Sequence, residues 1–212
     1  MWPFTKRKER QQSCAAFSFA EVAQVAPDRE TAPQSTRQSL RAEEILKAYD
    51  ESRDVLAPTV KGGLVSRNER QRLYKLLLML PAKEYGNLTR QAFAEEVQYR
   101  AALWSGTTED DGDCYEGIYR CAFLLYRIGD PADIATLWSA KYMNMDVGTS
   151  MGAEFFMGPG LQAVVQYLEK SSLEDSEEIS EYIKGWACQD NAERWQRDWE
   201  DEMASNILSA RE

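Results

Sequence analysis

The chain has no histidine at any of its 212 positions. Histidine alone titrates near neutral pH without perturbation, and it is the commonest metal ligand. Ser-His-Asp and Cys-His nucleophile pairs are therefore excluded. So are the histidine-bearing zinc sites of hydrolases and deaminases. Carboxylate, lysine, tyrosine and phosphate-clamp chemistries stay open. Long apolar runs are lacking too: none approaches the ~18 residues that a membrane span needs. The amino terminus carries Lys6, Arg7, Lys8 and Arg10 beside Trp2 and Phe4. Ser18, Glu21 and Gln24 then interrupt the stretch 14–26, so no apolar segment of a secretory signal follows.

The four cysteines, Cys14, Cys114, Cys121 and Cys188, include no C-x-x-C pair. This argues against a zinc ribbon or a thioredoxin-like motif. Cys121 sits in an apolar run and reads as a small core residue. Reduced thiols and a cytoplasmic location are expected. No stretch alternates cleanly in Val, Ile and Thr, so no strand competes with the helical pattern. The Gly158-Pro159-Gly160 turn lacks the lysine and hydroxyl residue of a phosphate loop. No cofactor is expected.

What remains is helical. Residues 1–36 hold Pro27, Pro33 and a polar run without sustained period, which predicts a flexible or loosely docked extension. Phe17, Phe19, Val22 and Val25 offer it one short element for packing. A single helical domain is expected over 37–212. Ser39 is placed to cap a helix through about Leu56, with Leu40, Ile45, Leu46 and Tyr49 facing inward, and Pro58, Gly62 and Gly63 then break it. Ser66 caps the next helix, with Glu69 three residues on as in a capping box. Its body, 73–80, is apolar almost all round and should be central. A third helix is expected from Thr89 to Trp104, with Phe93, Val97, Leu103 and Trp104 on its apolar face.

Residues 115–128 form the second strongly buried helix, and the following one presents Ile134, Leu137, Trp138 and Ala140. Asp130 and Pro131 suit that helix's entry. The Gly-rich, Met- and Phe-bearing stretch 144–160 reads as a buried apolar loop with one helical turn. Three more helices are expected, at Leu161–Leu168, 176–188 and 191–209. The fold expected is all-α: an irregular helical bundle or a short HEAT-like solenoid of about eight helices.

The pattern helix, Gly129-Asp130-Pro131, helix over 115–142 resembles one repeat of a HEAT-like α-solenoid, and residues 66–104 resemble another. The acidic, helical character also resembles, in general type, bacterial toxin-immunity proteins. That second resemblance implies a cytosolic chain that masks a toxin domain without catalysis.

The net charge is −10, which argues against nucleic acid as the main partner. Glu109, Asp110, Asp111, Gly112 and Asp113 form an acidic loop. Its spacing fails the EF-hand pattern. It reads as a solvated loop, a weak Mg²⁺ binder or bait for a basic partner. Glu154 lies among apolar residues and is therefore either paired or functional. The stretch 169–212 holds 13 acidic and 5 basic residues, a net of −8, together with Trp186, Trp195 and Trp199. These tryptophans are either core or an anchoring surface for a cationic partner. The functional expectation is a non-enzymatic protein-binding module that occludes a basic toxin or effector domain. The alternatives are a helical scaffold or a metal-dependent enzyme using carboxylates alone. The site expected for the partner is Glu109, Asp110, Asp111, Asp113, Glu154, Trp186, Trp195 and Trp199.

Overall fold

The structure, a computed structural model, describes residues 41–109 and 113–210. The expected extension 1–36 and the Ser39 cap lie outside the described residues. All regular elements among those described are helical, as the sequence pattern predicts. They are α1 (Ala42–Ser52), α2 (Pro58–Leu64), α3 (Arg67–Leu78), α4 (Gly86–Trp104), α5 (Gly117–Ile128), α6 (Asp133–Lys141), α7 (Met145–Ser150), α8 (Leu161–Lys170), α9 (Ser176–Ala187) and α10 (Ala192–Ser209). Short 3-10 turns fill Ala82–Tyr85, Asp113–Glu116 and Ala153–Phe156. No helix among the described residues is long and apolar enough to cross a membrane.

Some local expectations change. Pro58, Gly62 and Gly63 read as a break, yet Pro58–Leu64 is a helix. Proline sits in its first turn, where a missing N–H costs nothing. Val60 and Leu64 are wholly buried, and that burial outweighs the cost of glycine. The third helix starts at Gly86 rather than Thr89. Thr89 is inside it, its hydroxyl donating back to the Tyr85 carbonyl at 3.0 Å.

Capping is shared between neighbours. The Ser66 hydroxyl accepts the Glu69 N–H at 3.4 Å, one half of the expected box. The Glu69 carboxylate does not close it. It accepts the Ala42 N–H at 2.8 Å and the Arg72 guanidinium at 2.8 Å. The first turn of α3 thus supplies an acceptor to the first turn of α1, where orphan amides need one.

Helix α5 is the centre. Ile118, Cys121, Ala122, Leu124 and Leu125 are each at most 2% exposed. It packs chiefly along α4, and α3 lies against both it and α1. Helix α10 returns to α3 and α5. Arg120 fixes that return, donating to Asn206 at 2.7 Å and to Gln71 at 2.8 Å. In a solenoid each repeat meets only its neighbours. Here the last helix closes on the early ones, so the arrangement is the bundle. In the 115–142 segment the two helices do not act as a packed pair, since α6 packs mainly on α7 and the 153–156 turn.

One ion pair lies inside. Arg70 (2% exposed) donates to Glu96 (0%) at 2.8 Å, and its other arm donates to the Leu64 carbonyl at 2.6 Å. The Tyr74 hydroxyl donates to the same Glu96 oxygen at 2.7 Å. Burial opposes the charge on Arg70. Its neighbours Tyr74 and Glu96 more than offset that and raise its pKa.

Gly148 and Gly158 serve close approach of backbone to backbone. A Cβ on Gly158 would lie 2.0 Å from the Tyr126 carbonyl oxygen, a backbone atom. Gly62, in contrast, is exposed on α2 with nothing within 4 Å. Gly158→Ala is expected to cost about 1–3 kcal/mol of stability. Gly62→Ala is expected to gain about 0.5–1 kcal/mol. Urea denaturation of both variants checks this, and equal effects would contradict the packing described.

Candidate functional site: an acidic aromatic groove

Helix α4 has 19 residues and its main partner α5 has 12. At 1.5 Å per residue α4 is longer by roughly 10 Å. Its last turn therefore overhangs. Trp104, expected on the apolar face, is 65% exposed there. A groove of about 610 Å³ opens beside it. Its walls include Arg100, Trp104, Tyr115, Glu116, Tyr119 and Asp146. They come from the end of α4, the 113–116 turn, the start of α5 and α7.

Arg100 organises the wall. It is 7% exposed and donates to the Tyr115 carbonyl at 3.3 Å. Its guanidinium lies 5.7 Å from the Tyr115 ring and 5.9 Å from the Tyr119 ring. The Tyr119 hydroxyl in turn donates to the Asp146 carbonyl at 3.4 Å. The rings are thus held before any ligand arrives. Tyr115 remains 40% exposed.

The acidic run is next to this groove in sequence. Thr108 and Tyr115 both line it, and the run 109–113 lies between them in sequence. Glu109 is exposed. Asp110 and Asp111, and the side chain of Asp113, lie outside the described residues. Asp113 opens the 3-10 turn. Among the described residues no three His, Cys, Asp or Glu side chains cluster as a metal site.

The other sequence-singled residues are elsewhere. Glu154 is half-buried near Lys141, whose ammonium donates to the Gly148 and Met151 carbonyls at 2.7 Å each. Burial lowers the Lys141 pKa, and the Glu154 charge partly offsets that. Trp199 is half-buried in an aromatic cluster, edge-on to Phe123 at 5.4 Å, Tyr126 at 5.1 Å and Phe155 at 4.8 Å. Beside it the Tyr126 hydroxyl donates to Glu200. Trp186 is half-buried on α9, and Trp195 is 46% exposed on α10. None of the three tryptophans lines the groove.

Sequence reasoning missed Trp104, Tyr115, Tyr119 and Asp146 as a group. The sequence carried no clear signal for the grouping, because the lengths read for the two helices, 89–104 and 115–128, differ little, and only the structure shows α4 with 19 residues beside α5 with 12. Comparison with known proteins gave no match: no family model, no curated protein and no solved structure aligns with this chain.

The groove and the cluster separate surface tryptophan from core tryptophan. Trp104→Ala is expected to change stability by no more than about 0.5 kcal/mol. Trp199→Ala is expected to cost about 3–5 kcal/mol. Thermal and urea unfolding of the two variants would reverse the assignment if Trp104→Ala were the damaging one.

Proposed function

We propose that this chain is a non-enzymatic binding module of the toxin-inhibitor type, which covers a basic toxin or effector domain by occlusion. The observation that carries the reading is Trp104, 65% exposed in a groove flanked by acidic sequence. A large exposed aromatic beside pre-positioned tyrosines is the material of an interface hot spot. Glu116 and Asp146 line the same groove, and the run 109–113 borders it in sequence. Such charge steers a basic surface to the groove and raises the association rate. Arg100, the one lysine or arginine among the described residues that line the groove, is engaged with Tyr115 and Tyr119. The absence of histidine supports a role in binding rather than proton transfer.

The test is capture by tagged full-length chain from native lysate at low and high salt, read by mass spectrometry. One dominant basic protein, released by salt, is expected. The D110N/D111N/D113N variant is expected to capture less of it at low salt and to lose much of the salt dependence. Equal capture by both forms at both salts would remove the acidic run from the mechanism. Several unrelated partners would point to a scaffold.

A further inference from the structure

We propose that a second pocket, between α6 and the start of α9, receives an arginine side chain of the basic partner. This rests on the reading of a basic protein partner but uses a different site. The pocket measures about 450 Å³. Trp138 and Tyr142 supply its aromatic side, and Glu174, Asp175 and Glu178 its polar side. Among the described residues, no lysine or arginine lines it.

The rings and carboxylates are already joined. Trp138 and Tyr142 lie 4.8 Å apart, tilted by 59°. Tyr142 is 60% exposed, and its hydroxyl donates to Glu178 at 3.3 Å. Glu178 and Asp175 line the same pocket as Tyr142, and burial, then those carboxylates, push its hydroxyl's pKa up. Asp175 precedes α9 at its cap position yet makes no side-chain cap bond. Its carboxylate is therefore not consumed by the helix. Lys141, a buried cation on the same helix as Trp138, donates to the Gly148 and Met151 carbonyls and lies over the face of Tyr182, 5.2 Å away.

The fold itself shows what this arrangement holds. At the end of α1, Tyr49 and Tyr85 lie 5.9 Å apart, tilted by 44°. Asp50 meets the Tyr85 hydroxyl. Arg53 completes that group, its guanidinium 5.5 Å from both ring centres and 3.3 Å from Asp50. Two tilted rings, with a carboxylate on one tyrosine hydroxyl, thus clasp a guanidinium inside this chain. The α6–α9 pocket repeats the rings and the carboxylate, with Asp175 as an additional acceptor. A planar guanidinium stacks on a ring and forks to a carboxylate together, which a compact ammonium does not.

The experiment titrates full-length chain with the tripeptide acetyl-Gly-Arg-Gly-amide and, in parallel, its citrulline analogue, a neutral near-isostere. The readout is the Trp138 indole resonance in nitrogen–proton NMR spectra. The arginine peptide is expected to shift that resonance with a dissociation constant on the order of millimolar, as contacts of one side chain allow. The citrulline peptide is expected to leave it unmoved. Asp175→Asn with Glu178→Gln, both at exposed positions, is expected to weaken binding about fivefold or more. Equal shifts with both peptides, no shift with either, or unchanged affinity in the double variant would overturn the proposal. The peptide assay needs no protein partner. Its failure beside successful capture of a basic protein sinks this pocket alone, and the reverse result sinks the partner reading alone.

Discussion

A guanidinium and a carboxylate without water around them fix the middle of this molecule. Arg70 on α3 and Glu96 on α4 are both buried, and Tyr74 shares the same carboxylate oxygen. Removing one member of such a pair strands the other charge, at a cost of about 3–5 kcal/mol. The pair therefore sets the position of α4 against α3. From Glu96, Trp104 lies eight residues along α4, about 12 Å. The exposed tryptophan is thus borne on a helix whose middle is pinned by buried charge. Arg100, midway between them, carries that rigidity to the rings of Tyr115 and Tyr119. A pre-positioned aromatic wall loses less conformational entropy when it is covered.

Much of the fold was legible because apolar spacing is a local property. Ile118, Cys121, Ala122, Leu125 and Ile128 marked α5, and Val164 and Leu168 are the buried stripe of α8. Ser66 capped its helix as its type and place require. What failed were the decisions made by tertiary contact. Residues Pro58–Leu64 are helical because Val60 and Leu64 reach the core, against the preference of two glycines. Glu69 left its own capping box for the amide of Ala42, 27 residues away. No local pattern contains that distance.

The candidate site was half legible for the same reason. The acidic run could be read directly, but its neighbours could not. Trp104 shares a helical face with buried residues but is 65% exposed, since α4 runs on past the start of α5, where Gly117 lies against Glu96. Trp195 and Trp199 are four apart in sequence and so lie on one side of their helix. The structure divides them: Trp199 packs on Phe123, Tyr126 and Phe155, while Trp195 is 46% exposed. Helical spacing places residues on a face, but the neighbouring element decides how far that face is covered.

Aromatic rings beside carboxylates recur across the fold, with arginine between them at Arg53 and arginine beneath the tyrosines at Arg100. The same chemistry turned outward suits a basic protein surface. The most direct test is hydrogen–deuterium exchange of the full chain, alone and saturated with the basic protein it captures. The account predicts that slowed exchange on binding includes residues 99–109, 115–119 and 144–150, around the overhanging end of α4. Protection confined to the outer face of α10 around Trp195, with those three segments exchanging as in the free chain, would contradict it.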